Sequence, residues 1–157
     1  MKKFFMVLLF ILVVAMVVLA SPSGYSAIGE TMYVSVKDNT WLNGRAEPNM
    51  QANIECHFSD KDTVTVLDMA DGWAKVQEGG EAPFSYVKWD YLTASLDGPH
   101  PMQVASNGRV RIRNNPNGKE IVGYAENGDV VNVAFFFSGW AKTDKGWINT
   151  DYLSEQQ

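Results

Sequence analysis

Gly72-Trp73-Ala74-Lys75 recurs letter for letter at Gly139-Trp140-Ala141-Lys142. The flanks repeat as well. Upstream, Leu42-Asn43-Gly44-Arg45-Ala46-Glu47-Pro48-Asn49 lies over Val110-Arg111-Ile112-Arg113-Asn114-Asn115-Pro116-Asn117, sharing the arginine, the proline and the asparagine after it. Asp62-Thr63-Val64-Thr65-Val66 lies over Asp129-Val130-Val131-Asn132-Val133. Downstream, both copies close on an aromatic, a β-branched residue and Asp-Tyr-Leu, as Tyr86-Val87-Lys88-Trp89-Asp90-Tyr91-Leu92 and Trp147-Ile148-Asn149-Thr150-Asp151-Tyr152-Leu153. The order is kept throughout. The one large difference is a Gly79-Gly80-Glu81-Ala82-Pro83-Phe84 neighbourhood in the first copy, whose composition belongs on a loop.

Within each copy the pattern is that of short strands. Val64 and Val66, like Val131 and Val133, alternate with polar residues, which puts the valines on one face. Turn signals recur at close intervals, at Asp71-Gly72, Gly79-Gly80, Asn117-Gly118, Asn127-Gly128 and Lys145-Gly146. A unit of about 60 residues buries only about three-fifths of its unfolded surface, so curling its sheet into a barrel, which removes edges, helps a small core suffice. The reading is all-β: two small barrels in tandem, over residues 28 to 96 and 102 to 157, with Asp97-Gly98-Pro99-His100-Pro101 as a short stiff linker.

The ordered series Leu-Asn-x-Arg-x-x-Pro, Val-x-Val, Gly-Trp-x-Lys and aromatic-[Val/Ile]-x-x-x-Tyr-Leu, repeated in a second copy that has Val-Arg in place of Leu-Asn, resembles the bacterial SH3-like domain, SH3b, over nearly all of residues 32 to 154. The family pattern usually has glycine before the proline, where this chain has Glu47 and Asn115. Asn tolerates a positive φ and Glu does so poorly, so the two turns are expected to differ. The resemblance implies SH3-like barrels and recognition of peptidoglycan stem or bridge peptides, or of an extended segment of an envelope protein.

The start of the chain reads as a secretory signal over residues 1 to 27. Met1-Lys2-Lys3 is basic, Phe4 to Ala20 is apolar, and Pro22, Gly24 and Ser26-Ala27 follow. Cleavage after Ala27 is the first expectation and after Ala20 the second; an uncleaved membrane anchor is the competing reading, since the run approaches the length of a bilayer span. Removing the two lysines takes the formal charge from −5 to −7. An acidic exported protein, periplasmic or extracellular, lacks the basic footprint of a nucleic-acid binder. One cysteine excludes an internal disulfide.

No catalytic constellation emerges. Cys56-His57 lies over Gly123-Tyr124 in an extended segment, where neighbours point to opposite faces, and Cys56 shares the parity of Ile54 and Phe58. It is expected to point inward as a small filler. Two histidines and a single cysteine supply no zinc set, and Asp60-Lys61-Asp62 lacks the rest of a calcium loop. The chain is therefore expected to be non-catalytic, with no cofactor and no metal. Its expected work is binding of cell-wall peptide or an envelope protein. A structural or assembly module is the alternative, and a hydrolase with an unrecognised site is a third.

Residues that match between the copies, such as Trp73 with Trp140 and Tyr91 with Tyr152, are read as framework. Aromatics present once are candidates for contact: Trp41 over Arg109, Trp89 over Thr150, Phe84 in the insertion, and one of Phe135-Phe136-Phe137, taken as Phe136. Asn43 and Arg45 are polar supports. The competing reading places these rings in the junction between the barrels. Charge is also uneven: residues 28 to 98 hold twelve acids and five bases, while residues 99 to 157 hold six of each. Arg109, Arg111 and Arg113 form a basic stripe that either binds an anionic ligand or docks on the acidic copy, with docking the first expectation.

Overall fold

The computed structural model describes residues 27–37, 40–79 and 83–156. The basic and apolar parts of the expected leader lie outside the described residues. The first copy forms β1 (Thr31–Val34), β2 (Leu42–Arg45), β3 (Ile54–Phe58), β4 (Thr63–Ala70), β5 (Trp73–Glu78), β6 (Phe84–Lys88) and β7 (Leu92–Thr93). The second forms β8 (His100–Val104), β9 (Val110–Arg113), β10 (Ile121–Ala125), β11 (Val130–Phe137), β12 (Trp140–Thr143), β13 (Gly146–Asn149) and β14 (Leu153–Glu155). Each set makes one seven-stranded antiparallel, barrel-like sheet. The orders, β3-β2-β6-β5-β4-β1-β7 and β10-β9-β13-β12-β11-β8-β14, are the same.

The repeated tetrapeptide sits at a tight hairpin turn in each sheet. Ala70 pairs with Trp73, and Phe137 with Trp140, which leaves two residues for each hairpin loop. Both loop residues take positive φ, Asp71 49° with Gly72 86°, and Ser138 49° with Gly139 78°. Two such residues in succession make the turn whose twist matches the flanking strands, and glycine at the second position meets it without strain. Ala74 and Ala141, two residues further on, are fully buried. The expected difference before the prolines does not arise: neither Glu47 nor Asn115 has a positive φ, and the copies differ instead at Asn117, whose φ is 56°.

Val64, Val66, Val131 and Val133 face inward as the alternation requires, joined by Met32 and Val34 from β1 and by Met102 and Val104 from β8. The inward parity of Ile54 does not hold; this side chain is exposed. Gly44 pairs with Cys56 while the adjacent Arg45 pairs with Ile54, so Glu55 is one residue too many and the ladder slips. A bulge of this kind turns the next side chain to the other face. β10 slips at the same place, between Ile121 and Gly123. Cys56 itself packs against the first core, as a filler.

The junction is apolar. Trp89 and Trp147 meet edge to face with centroids 5.2 Å apart, and Phe135 and Phe137 approach Trp147 at 5.6 and 6.5 Å. Phe135, Trp140 and Trp147 belong to one buried cluster with the core of the first barrel. Ala94 N–H donates to Ala134 O at 2.9 Å, and Lys142 Nζ lies 2.8 Å from Asp90 Oδ1 across the seam. The two barrels therefore share a core. His100 and Pro101, expected in the linker, are the first residues of β8 and pair with Val133 and Asn132. Ala27, expected at the end of the leader, is buried in the first core, and its carbonyl accepts from Glu30 N–H at 3.3 Å.

Candidate functional site

Both barrels carry a groove in the same place. In the first it has a volume of about 430 Å³ and runs over the outer side of β2; in the second, of about 570 Å³, it runs over the outer side of β9. Two of the aromatic pairs matched between the copies help to line it. Trp73 and Trp140, 7% and 9% exposed, line the grooves from β5 and β12, and Tyr91 and Tyr152, 46% and 45% exposed, stand on the short 3-10 turns before β7 and β14. Each tryptophan is held differently. Lys88 Nζ lies 4.9 Å from the centre of the Trp73 ring, and Trp140 Nε1 donates to Asn117 Oδ1 at 3.2 Å.

The walls differ. Strand alternation turns Leu42 inward and presents Trp41, Asn43 and Arg45 to the first groove; it turns Val110 and Ile112 inward and presents Arg109, Arg111 and Arg113 to the second. Trp41 is 61% exposed and leans edge-on against His57, with centroids 5.5 Å apart. In the second copy Arg109 and Tyr124 occupy those positions, the guanidinium 4.1 Å from the ring centre. Arg45 Nη1 and Arg113 Nη1 each donate to a carbonyl of the turn that follows, Ala52 O at 2.8 Å and Gly118 O at 2.6 Å, which fixes the matched arginines in the wall. Asn43 Oδ1 is buried and accepts no hydrogen bond among the described residues.

Of the expected contact residues, Trp41, Asn43 and Arg45 are brought together. The other three are not. Trp89 is buried in the seam against Trp147, because the turn before β7 points its ring at the second barrel. Phe136 packs on the second core, because a register shift between Val133 and Phe135 breaks the alternation of β11. Phe84 is exposed but stands apart from the groove, with Lys75 Nζ 3.6 Å from its ring centre and beside a cleft that Glu55, Cys56 and Glu78 line. Among the described residues the arginine stripe makes no ion pair with the acidic copy. Among the described residues no carboxylate lies within 4.0 Å of any of the three guanidinium groups, and the one ion pair across the seam is Lys142–Asp90.

Met50, Lys37 and Lys88 line the first groove without having been expected there, and the matched Tyr91 and Tyr152, read from sequence as framework, line one groove each. The tyrosines carried a signal, since a half-exposed ring demanded twice needs a reason beyond packing. As for catalysis, Cys56 Sγ lies 3.6 Å from Ser85 Oγ while His57 faces outward against Trp41, so the adjacent thiol and imidazole do not meet. Among the described residues no group of three or more His, Cys, Asp or Glu could hold a metal ion, and no helix is long and apolar enough to cross a membrane.

No family model matches the chain, and no curated protein matches it. Among solved structures it is similar to NlpC1 from Trichomonas vaginalis, at 20% identity and a TM-score of 0.37 over 89% of this chain and 50% of that one. NlpC2 from the same organism gives 20% identity and 0.37 over 80% and 48%. The CBD of endolysin LysPBC5 gives 16% identity and 0.39 over 84% and 96%. The chain thus spans about half the length of the two NlpC proteins. At these TM-scores the likenesses carry no inference about its activity.

Proposed function

We infer that this is an exported, non-catalytic binding protein of the cell envelope whose two grooves hold extended peptide. The observation that carries this reading is the duplication of the groove itself: Trp73 with Tyr91 and Trp140 with Tyr152 line equivalent clefts, and in each a half-exposed tyrosine stands beside a largely buried indole. Rings of this kind offer large contact area at little entropic cost, and aromatic-lined grooves on small barrels suit extended chains. The resemblance to SH3b domains supports peptidoglycan peptide as the ligand, with an extended segment of an envelope protein as the second source.

Export rests on the basic and apolar start of the chain. A cut after Ala27 would remove a buried side chain from the first core, whereas a cut after Ala20 leaves it in place, so processing is proposed at Ala20. Pull-down on purified peptidoglycan sacculi, set against crosslinking in intact cells, tests the function. Retention on sacculi free of protein supports wall peptide. Capture by crosslinking with no retention on sacculi would reassign the grooves to a protein partner.

A further inference from the structure

Charge is sorted on this molecule in a way its totals conceal. The chain has eighteen acids against thirteen bases. Yet each groove is lined by three cations, Lys37, Arg45 and Lys88 in one and Arg109, Arg111 and Arg113 in the other, and by no acid among the described residues. In the first copy, which holds five bases and twelve acids, three of the bases line the groove and none of the described acids does. An ordinary solvated surface mixes its signs. Cations held together without counter-charges repel one another, and an anion relieves that repulsion.

Taking the grooves as binding sites, we propose that their ligand is an extended peptide carrying carboxylates on alternate residues. The spacing favours peptide. Residues 109, 111 and 113 follow one another on one face of a strand, about 7 Å per step, and alternate side chains of an extended peptide repeat at that same interval. Planar guanidinium groups grip carboxylates with two parallel hydrogen bonds. The apolar side chains of the first groove favour peptide over a phosphodiester polymer, because Trp41, Met50 and Tyr91 offer apolar contact that a phosphate chain cannot use. The two grooves then read different things: the second reads charge along the stripe, and the first reads charge at Lys37 and Lys88 together with an apolar side chain at Trp41.

The test is a nitrogen-15 NMR titration of protein purified from cells expressing the full chain. Three probes are used: a blocked octapeptide alternating alanine with glutamate, the same peptide with glutamine, and inorganic polyphosphate. The glutamate peptide is expected to shift the Trp140 indole N–H and the backbone amides of β9, to bind at least about tenfold tighter than the glutamine peptide, and to lose about tenfold in Arg111→Gln. Arg111 is exposed, so that variant should melt as the parent does. Equal affinity for the two peptides at these resonances would overturn the charge assignment and leave the groove reading standing. Groove shifts with polyphosphate and none with either peptide would overturn peptide as the occupant. Groove resonances that none of the three probes, nor soluble sacculus fragments, can move would overturn both.

Discussion

Gly44 and Cys56 show how one residue's chemistry follows from another's absence. A side chain at Gly44 would collide with Cys56 Sγ and stand 2.7 Å from Ser85 Oγ, whereas in the second copy the same two positions are Ile112 and Gly123, and a methyl on Gly123 would rest 3.7 Å from Ile112. Each barrel fills one space from opposite strands. The cysteine is thus explained by packing, without recourse to a nucleophile. Gly44→Ala is expected to cost about 1 to 3 kcal/mol by overpacking, and adding Cys56→Gly should return most of that loss. A double-mutant cycle by urea unfolding measures it. Additive losses would mean that the pair does not share a space. Sequence parity had Cys56 facing inward correctly and Ile54 wrongly, since a one-residue bulge leaves no mark in the hydrophobic pattern.

At the level of elements, the hairpin that carries the repeated tetrapeptide divides its tasks residue by residue. Gly72 and Gly139 turn the chain, Trp73 and Trp140 line the grooves, Ala74 and Ala141 close the core, and Lys75 and Lys142 reach outward to Phe84 and to Asp90. Trp73→Ala or Trp140→Ala is expected to cost roughly 3 to 5 kcal/mol. Trp41→Ala, by contrast, should move stability by no more than about 0.5 kcal/mol. Thermal melting of the three variants checks this, and an unchanged melt for either buried tryptophan would mean that its strand is misplaced. The strands were legible in the sequence because valine alternation and turn residues are local signals. The groove was only half legible: residues matched between copies were read as framework, and a site that is itself duplicated hides among them. Unmatched rings were read either as contacts or as the junction between the barrels, because a ligand site and an asymmetric seam both require residues that occur once, and Trp89 lies in the seam.

For the whole molecule, the shared core predicts that the two barrels unfold together. Trp147 is fully buried between Trp89, Phe135 and Phe137, so the seam is built like an interior rather than like a loose domain contact. Calorimetry should show one transition with matching van't Hoff and calorimetric enthalpies, and Trp147→Ala should lower it as a whole or split it. Two separated transitions in the parent protein would contradict the shared core. Lys142–Asp90, half open to water on the acidic side, is expected to add little. Joining two grooves in one cooperative unit has a functional consequence. A polymer that engages one groove meets the second at high effective concentration, so removing one site should weaken retention far more than the intrinsic affinity of a single groove suggests.

The central claim is that the twin grooves are where the ligand binds, and retention on purified peptidoglycan sacculi by groove variants tests it most directly. Trp41→Ala in the first groove and Arg111→Gln in the second are compared with the parent protein and with Phe84→Ala, an exposed ring outside both grooves. Each groove variant should be retained more weakly, the double variant should wash through at the salt concentration that holds the parent, and Phe84→Ala should be held as the parent is, with melting unchanged in all. Full retention of the double variant, or loss of retention in Phe84→Ala alone, would contradict the account and move the binding site elsewhere on the surface.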